Sequence, residues 1–218
     1  ILLEELGLDY TIKPIHIGRG EQFDPAFLEI APNNRIPAMV DHAPSGGGEA
    51  ISIFESGAMM QYLAEKTGKF LPADLNKRWD TLQWLYWQMG GFGPMLGQNH
   101  HFNIYAPEKI DYAIKRYVGE TERLYGVLNK AIGEKDFITG EYSIADMACW
   151  PWAWRYERQS ISLDDFPNVK RWYDIILERP ATQAALAKGD EIGKAHAELK
   201  DDDQAKSILF GQNKDTVK

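Results

Sequence analysis

Ser56 follows Glu55 at the start of a helical run, a position that can hold an anion. The first N–H groups of a helix have no partner within it, and the helix dipole adds positive character there. The Ser56 hydroxyl supplies a further donor. The same pair also reads as an ordinary helix cap, since serine is a frequent N-cap. Arg116 carries a guanidinium suited to a bidentate grip on a carboxylate, and it also has Glu120 four residues on as a surface partner. Asn33 sits where a turn residue is expected. Ile36–Pro37 opens an apolar run as a strand start, and an X–Pro bond is trans in all but ~5–6% of cases. Ser143 and Asp146 have the spacing of a capping box, with Asp in place of the usual Glu or Gln.

Other chemistry is poorly supported. Cys149 is the single cysteine, which excludes an intramolecular disulfide, a Cys-x-x-Cys redox pair and a thiolate zinc site. It lies between Ala148 and Trp150 and reads as a buried apolar thiol. His100 and His101 are adjacent, so on regular structure they point apart, and no metal site is expected. Gly46–Gly47–Gly48 and Gly90–Gly91–Phe92–Gly93 lack the strand–turn–helix context of a phosphate loop. Trp150, Trp152 and Trp154 read as core and interface.

The whole-chain figures narrow the field further. The 218 residues carry 24 Lys and Arg against 32 Asp and Glu, a net charge of −8. That is the wrong sign for binding nucleic acid through its phosphates. The longest apolar run, Met147–Trp154, is interrupted by Pro151 and is far short of the ~20 residues of a membrane span. One cysteine suits a reducing compartment, so the cytoplasm is expected.

Two kinds of element must position these residues. All seven tryptophans fall between Trp79 and Trp172, whereas residues 1–72 hold six of the eleven prolines. The boundary is placed at Pro72, giving domains 1–72 and 73–218. In the first, Tyr10–Ile17 reads as an edge strand because of Pro14, and Asp24–Pro25 opens a short helix. Ile36–Asp41 and Ala50–Phe54 form a hairpin around the glycine turn, and Ser56–Thr67 is a helix stopped by Gly68. The second domain reads as helical over Lys77–Met89, Glu108–Ile132, a segment opened by Ser143, Asn168–Glu178 and Ala181–Lys188. The polar tail from Lys188, with Asp201–Asp202–Asp203, is expected to be loosely packed. Ile1–Gly7 reads as the last turns of a helix. The expectation is that one strand and one loop precede it, the strand lying between Tyr10–Ile17 and Ile36–Val40.

Three segments carry a family resemblance: Asn33–Asn34–Arg35–Ile36–Pro37–Ala38–Met39–Val40–Asp41, Phe54–Glu55–Ser56–Gly57–Ala58 and Tyr142–Ser143–Ile144–Ala145–Asp146–Met147. In order and spacing they resemble the cytosolic glutathione transferases over residues 1 to about 188. Leu82–Gln83–Trp84 and the segment Gly93–Phe102 are similar to the bacterial Nu-class group, which are glutathione-dependent disulfide-bond oxidoreductases. The resemblance implies an α/β thioredoxin-like N-terminal domain followed by an all-α helical C-terminal domain. It implies that Glu55 and Ser56 hold the γ-glutamyl end of glutathione, that Ile36–Pro37 is cis and pairs with the cysteinyl unit, and that Gln22 and Arg116 serve the glycyl end, with Asn33 also touching the tripeptide. The thiolate-stabilising group of such proteins lies in a loop before the first helix, so no residue of this chain is named for it.

Glutathione is then the cosubstrate, and the expected reaction is thiol–disulfide exchange on a small disulfide. The alternatives are conjugation of glutathione to an electrophile, and a glutathione-binding module without turnover. A homodimer built on the bundle helices is implied as well.

Overall fold

The computed structural model describes residues 1–195, 203–213 and 216. The chain divides into two compact units. One comprises Thr67–Gln183 with Ile1–Leu2, the other Leu3–Lys66 with Ala184–Lys218.

In the second of these, helix α1 (Leu2–Leu6) ends at Gly7, whose φ of +65° is a left-handed turn that glycine enters without steric cost. Two 3-10 turns follow, Ile17–Arg19 and Glu21–Phe23. Asp24 caps α2 (Pro25–Leu28), its carboxylate accepting the Ala26 N–H at 2.8 Å. Strands β1 (Ala38–Asp41) and β2 (Ile51–Phe54) pair antiparallel, with Ala38 opposite Phe54 and Asp41 opposite Ile51. Helix α3 (Ser56–Thr67) then returns along the hairpin and stops at Gly68, again left-handed. Residues 10–16, expected as an edge strand, are irregular. A strand exists only where a neighbour completes its ladder, and among the described residues β1 and β2 pair only with each other.

Two side chains of α3 and one loop N–H converge at the turn end of the hairpin. The Asp41 carboxylate accepts from Lys66 Nζ at 2.5 Å, from the Tyr62 hydroxyl at 2.7 Å and from the Ala43 N–H at 2.9 Å. With the Lys66 bond foremost, they draw its pKa down to about 2. A depressed folded-state pKa stabilises above the unfolded value of ~4, and that stability fades as pH falls towards 2. Tyr62→Phe should therefore melt below wild type at pH 7, and the gap should close as pH is lowered from 4 to 2. Thermal melts across that range test it. A gap independent of pH would mean that Tyr62 acts by packing instead.

The helical unit opens with α4 (Leu75–Trp87), capped by Asp74, which accepts the Lys77 N–H at 3.0 Å. A π-helical turn, Gln88–Phe92, leads into α5 (Gly93–His100), and a second, His101–Tyr105, follows it. Next come α6 (Asp111–Ile132), α7 (Ile144–Ala153) and α8 (Pro167–Leu177). Helix α7 is buried almost all round: α4 and α8 pack against it, α5 touches it, and α6 lies against α5 and α8. Leu85, Leu96, Leu128, Ile132 and Trp172 have no exposed surface. The first π-turn presses against α7: a Cβ at Gly93 would stand 2.7 Å from Gln88 Nε2 and 3.0 Å from Trp152 Nε1. A side chain there would require Gln88 or Trp152 to shift.

The capping box is present. Asp146 accepts the Ser143 N–H at 3.0 Å, and Ser143 Oγ accepts the Ala145 N–H at 3.3 Å. Asp146 does more than the spacing implies, since it also takes the Ile138 N–H and the Trp172 indole N–H, each at 2.9 Å. It is fully buried. Desolvation pushes its pKa up while these donors pull the other way.

The C-terminal segment corrects the expectation of a loose tail. Helix α9 (Pro180–Ala195) runs beyond Lys188, and α10 (Asp203–Phe210) packs on the Ile17–Arg19 turn with Ala205 buried. Lys188 bonds Glu4 at 2.5 Å and the Tyr10 hydroxyl at 3.0 Å. Residues 184–218 thus group with the N-terminal unit and not with the helical one, because these contacts lie there. Asp201 and Asp202 of the acidic run lie outside the described residues.

Candidate active site

The hairpin register brings two loops to one end of the sheet. With Ala38 opposite Phe54, the residues entering β1 and those leaving β2 become neighbours. Arg35, Ile36 and Pro37 from the first, with Phe54, Glu55 and Ser56 from the second, line a hollow. The Ile36–Pro37 bond is cis. Before it, the Asn34 N–H closes a turn onto the Ala31 carbonyl at 2.9 Å, and Asn34 is buried with φ +47°.

Glu55 has φ +68°, between the last residue of β2 and the first of α3. A left-handed conformation costs a residue with a Cβ about 1–2 kcal/mol, and such outliers cluster at functional positions. Here it turns the chain from strand to helix within one residue, so the N-terminus of α3 faces the hollow beside a carboxylate. The chemistry on offer is therefore mixed. Backbone donors, the Ser56 hydroxyl and the Arg35 guanidinium suit carboxylates, and the Glu55 carboxylate suits an ammonium. A zwitterionic ligand matches that set.

Four residues named from the sequence meet here: Ile36, Pro37, Glu55 and Ser56. Three do not line the hollow. Gln22 lies in the Glu21–Phe23 turn, 2% exposed, with neither end of its side-chain amide hydrogen-bonded within the protein. A buried amide in that state costs about 1–3 kcal/mol, which a ligand could relieve. Asn33 is exposed in the turn before Asn34. Arg116 lies on α6 in the helical unit, exposed, with Nη1 3.7 Å from Glu120. Glu120 is held more closely by Arg123, at 2.7 and 2.9 Å, so Arg116 is its weaker partner.

Arg35 and Phe54 were not singled out by sequence reasoning. Each directly precedes a named residue, but only the strand register shows that both reach the same hollow.

Elsewhere the titratable groups are subdued. Cys149 is fully buried, and desolvation, aided by the nearby Asp146 charge, pushes its thiol well above the ordinary range. Burial, then the charges of Arg158 and Arg155, lowers His100 to about 4, so it is neutral at pH 7. No group of three or more His, Cys, Asp or Glu among the described residues could hold a metal ion. No described helix is long and apolar enough to cross a membrane. Cys149→Ala should accordingly retain whatever thiol chemistry the protein performs. Activity lost in a variant with a native circular dichroism spectrum would show that Cys149 takes part.

Residues 1–66 match the family model of the glutathione S-transferase N-terminal domain, and residues 94–180 that of the C-terminal domain. The disulfide-bond oxidoreductase YfcG of Escherichia coli is 57% identical over 195 residues, covering 88% of this chain and 91% of its own. The chain belongs to the glutathione S-transferase family. A second disulfide-bond oxidoreductase of that organism, YghU, is 43% identical over 84% of this family member and 67% of itself. Among solved structures, a Pseudomonas putida glutathione transferase with one glutathione disulfide bound per subunit superposes with a TM-score of 0.81. It is 41% identical, over 85% of this chain and 83% of that one. A family member from Pseudomonas fluorescens with two glutathione bound gives 0.80 at 40% identity, over 85% of both chains. The chain thus has the small N-terminal sheet with helices and the helical C-terminal domain of its family, and the hollow at the end of its hairpin belongs to the N-terminal one.

Proposed function

We propose that this protein is a glutathione-dependent disulfide-bond oxidoreductase. The observation that carries the reading is its 57% identity, over nine-tenths of the relative's length, to an enzyme named for that activity. The buried Cys149 supports it from the side of the chemistry. The single thiol of these 218 residues is inaccessible and held protonated, which suits a reaction whose reducing sulfurs come from glutathione. In this reading Glu55 takes the γ-glutamyl ammonium, Ser56 and the α3 N-terminus take its carboxylate, and Ile36–Pro37 aligns the cysteinyl unit. Gln22 and Arg116 serve the glycyl end, and Asn33 also touches the tripeptide.

The reaction balances as two exchanges. A glutathione thiolate attacks one sulfur of the substrate disulfide, forming a mixed disulfide and releasing the other sulfur as a thiolate, which takes up a proton. A second glutathione thiolate then attacks the glutathione sulfur of the mixed disulfide. That step releases the second substrate thiol and leaves glutathione disulfide. The bound glutathione disulfide in the Pseudomonas putida relative has the composition of that product.

The reading includes a cytoplasmic homodimer. Leu75, Trp79 and Tyr86 are exposed along α4 at helical spacing, an apolar surface that a partner would cover. Sedimentation would test the assembly. Glutathione-dependent reduction of a small disulfide, with conjugation to an aromatic halide as comparator, tests the activity. Reduction well above the uncatalysed rate supports the proposal, whereas conjugation alone would replace it with a conventional transferase. Binding without either reaction would leave a regulatory module.

A further inference from the structure

Arg35 stands at the rim of the hollow, and a residue from the far end of the chain sets its position. Gln212 Oε1 accepts from Arg35 Nη1 at 2.8 Å and from Asn34 Nδ2 at 3.2 Å. The other end of the same amide donates to the Ile208 carbonyl in the last turn of α10, at 3.3 Å. These partners leave the amide one orientation. Its nitrogen must face the helix carbonyl, and its oxygen must face the two donors of the loop.

The element that delivers Gln212 is built for it. Helix α10 packs on the Ile17–Arg19 turn, and its Ala205 is buried. The Gly211 N–H closes onto the Ser207 carbonyl at 2.8 Å. A Cβ at 211 would come within 2.5 Å of that carbonyl oxygen, so a glycine is needed for the chain to leave α10 in this direction.

We propose that Gln212 is a positioning residue of the site: from the end of α10 it holds Arg35 at the rim as an un-neutralised cation, so that the C-terminal segment sets affinity for anionic ligands in the hollow. The inference rests on the glutathione reading above. A neutral acceptor suits the task. It fixes one face of the guanidinium and leaves the full positive charge and the remaining donors for a carboxylate. An acidic residue in its place would hold the same group and cancel it. Among the described residues no carboxylate forms an ion pair with Arg35. The bond to Asn34 has a second effect, pinning a buried residue in the left-handed conformation immediately before Arg35.

Calorimetric titration with glutathione tests the proposal on wild type, Gln212→Ala, Gln212→Glu, Arg35→Ala and the double alanine variant. Gln212→Ala should weaken binding about three- to tenfold, the scale of one lost orienting bond. In the Arg35→Ala background the same change should add nothing, because two residues acting through one contact are not additive. Gln212→Glu should bind at least as weakly as Gln212→Ala at low salt, and its deficit should shrink as salt screens the new ion pair. In disulfide reduction the loss should appear in the KM for glutathione and not in kcat. A tail that merely stabilised the fold would lower the melting temperature and leave the two substitutions additive. Additivity, or a Gln212→Glu variant that binds like wild type at low salt, overturns the proposal. Ser56→Ala separates the two levels. If it weakens binding while Gln212→Ala does not, only the role of Gln212 falls. If wild type does not bind glutathione at all, both readings fall.

Discussion

Replacing Ser56 with alanine is expected to weaken glutathione binding about ten- to a hundredfold, and Glu55→Gln to do the same, with the melting temperature of each variant close to wild type. A hydrogen bond to a charged group contributes roughly 1.5–3 kcal/mol, and each 1.4 kcal/mol is a factor of ten in affinity. Ser56 is the first residue of α3, where its hydroxyl joins the N–H groups of a first turn, which a helix itself provides with no acceptor. Glu55 lines the same hollow. The strained φ of Glu55 adds a separate expectation. Glu55→Gly should bind glutathione poorly yet stabilise the fold by about 0.5–1 kcal/mol, because glycine enters the left-handed region freely. Titration calorimetry beside thermal melts measures both. Unchanged affinity in Ser56→Ala and Glu55→Gln together would remove the α3 N-terminus from the site.

The largest effect on stability is expected at Asp146. Asp146→Ala should lower it by about 3–5 kcal/mol, because it strands buried donors at Ile138, Ser143 and the Trp172 indole, each costing about 1–3 kcal/mol unless water reaches it. A capping box alone is worth only ~0.5–2 kcal/mol, so the excess measures the link from α7 to α8 that Trp172 provides. Asp146→Asn should cost less, since one oxygen can still serve Ile138 and Trp172. All seven tryptophans lie in the helical unit, which makes urea unfolding followed by fluorescence a direct readout of that unit. A variant that unfolds like wild type yet turns over poorly would move Asp146 from the scaffold to the chemistry.

What could be read from the sequence follows from what each feature depends on. The Ser56–Thr67 helix and the Ser143–Asp146 box were legible because their determinants lie within a few residues: a start signal, a glycine stop, a three-residue spacing. Ile36, Pro37, Glu55 and Ser56 were legible as a site only through the family resemblance, since local chemistry equally describes a strand start and a cap. Tyr10–Ile17 misled because a β-like composition signals suitability for a ladder, whereas a ladder needs a partner. The C-terminal helix was invisible for another reason. It packs on the distant Ile17–Arg19 turn, and Gln212 just beyond it bonds Arg35 at a separation of 177 residues. No local pattern marks either.

The N-terminal unit is discontinuous in the chain: Leu3–Lys66 is completed by Ala184–Lys218, with the uninterrupted run Thr67–Gln183 between them. On a ribosome, which releases its product from the N-terminus, the order of assembly follows. The helical unit can close as soon as its last helix emerges. The site-bearing half, begun earlier, must wait for residues 203–212 before α10 can dock and Gln212 can reach Arg35. Its completion thus follows that of the bundle, so a chain cut after Gln183 would carry a finished bundle and an unfinished site.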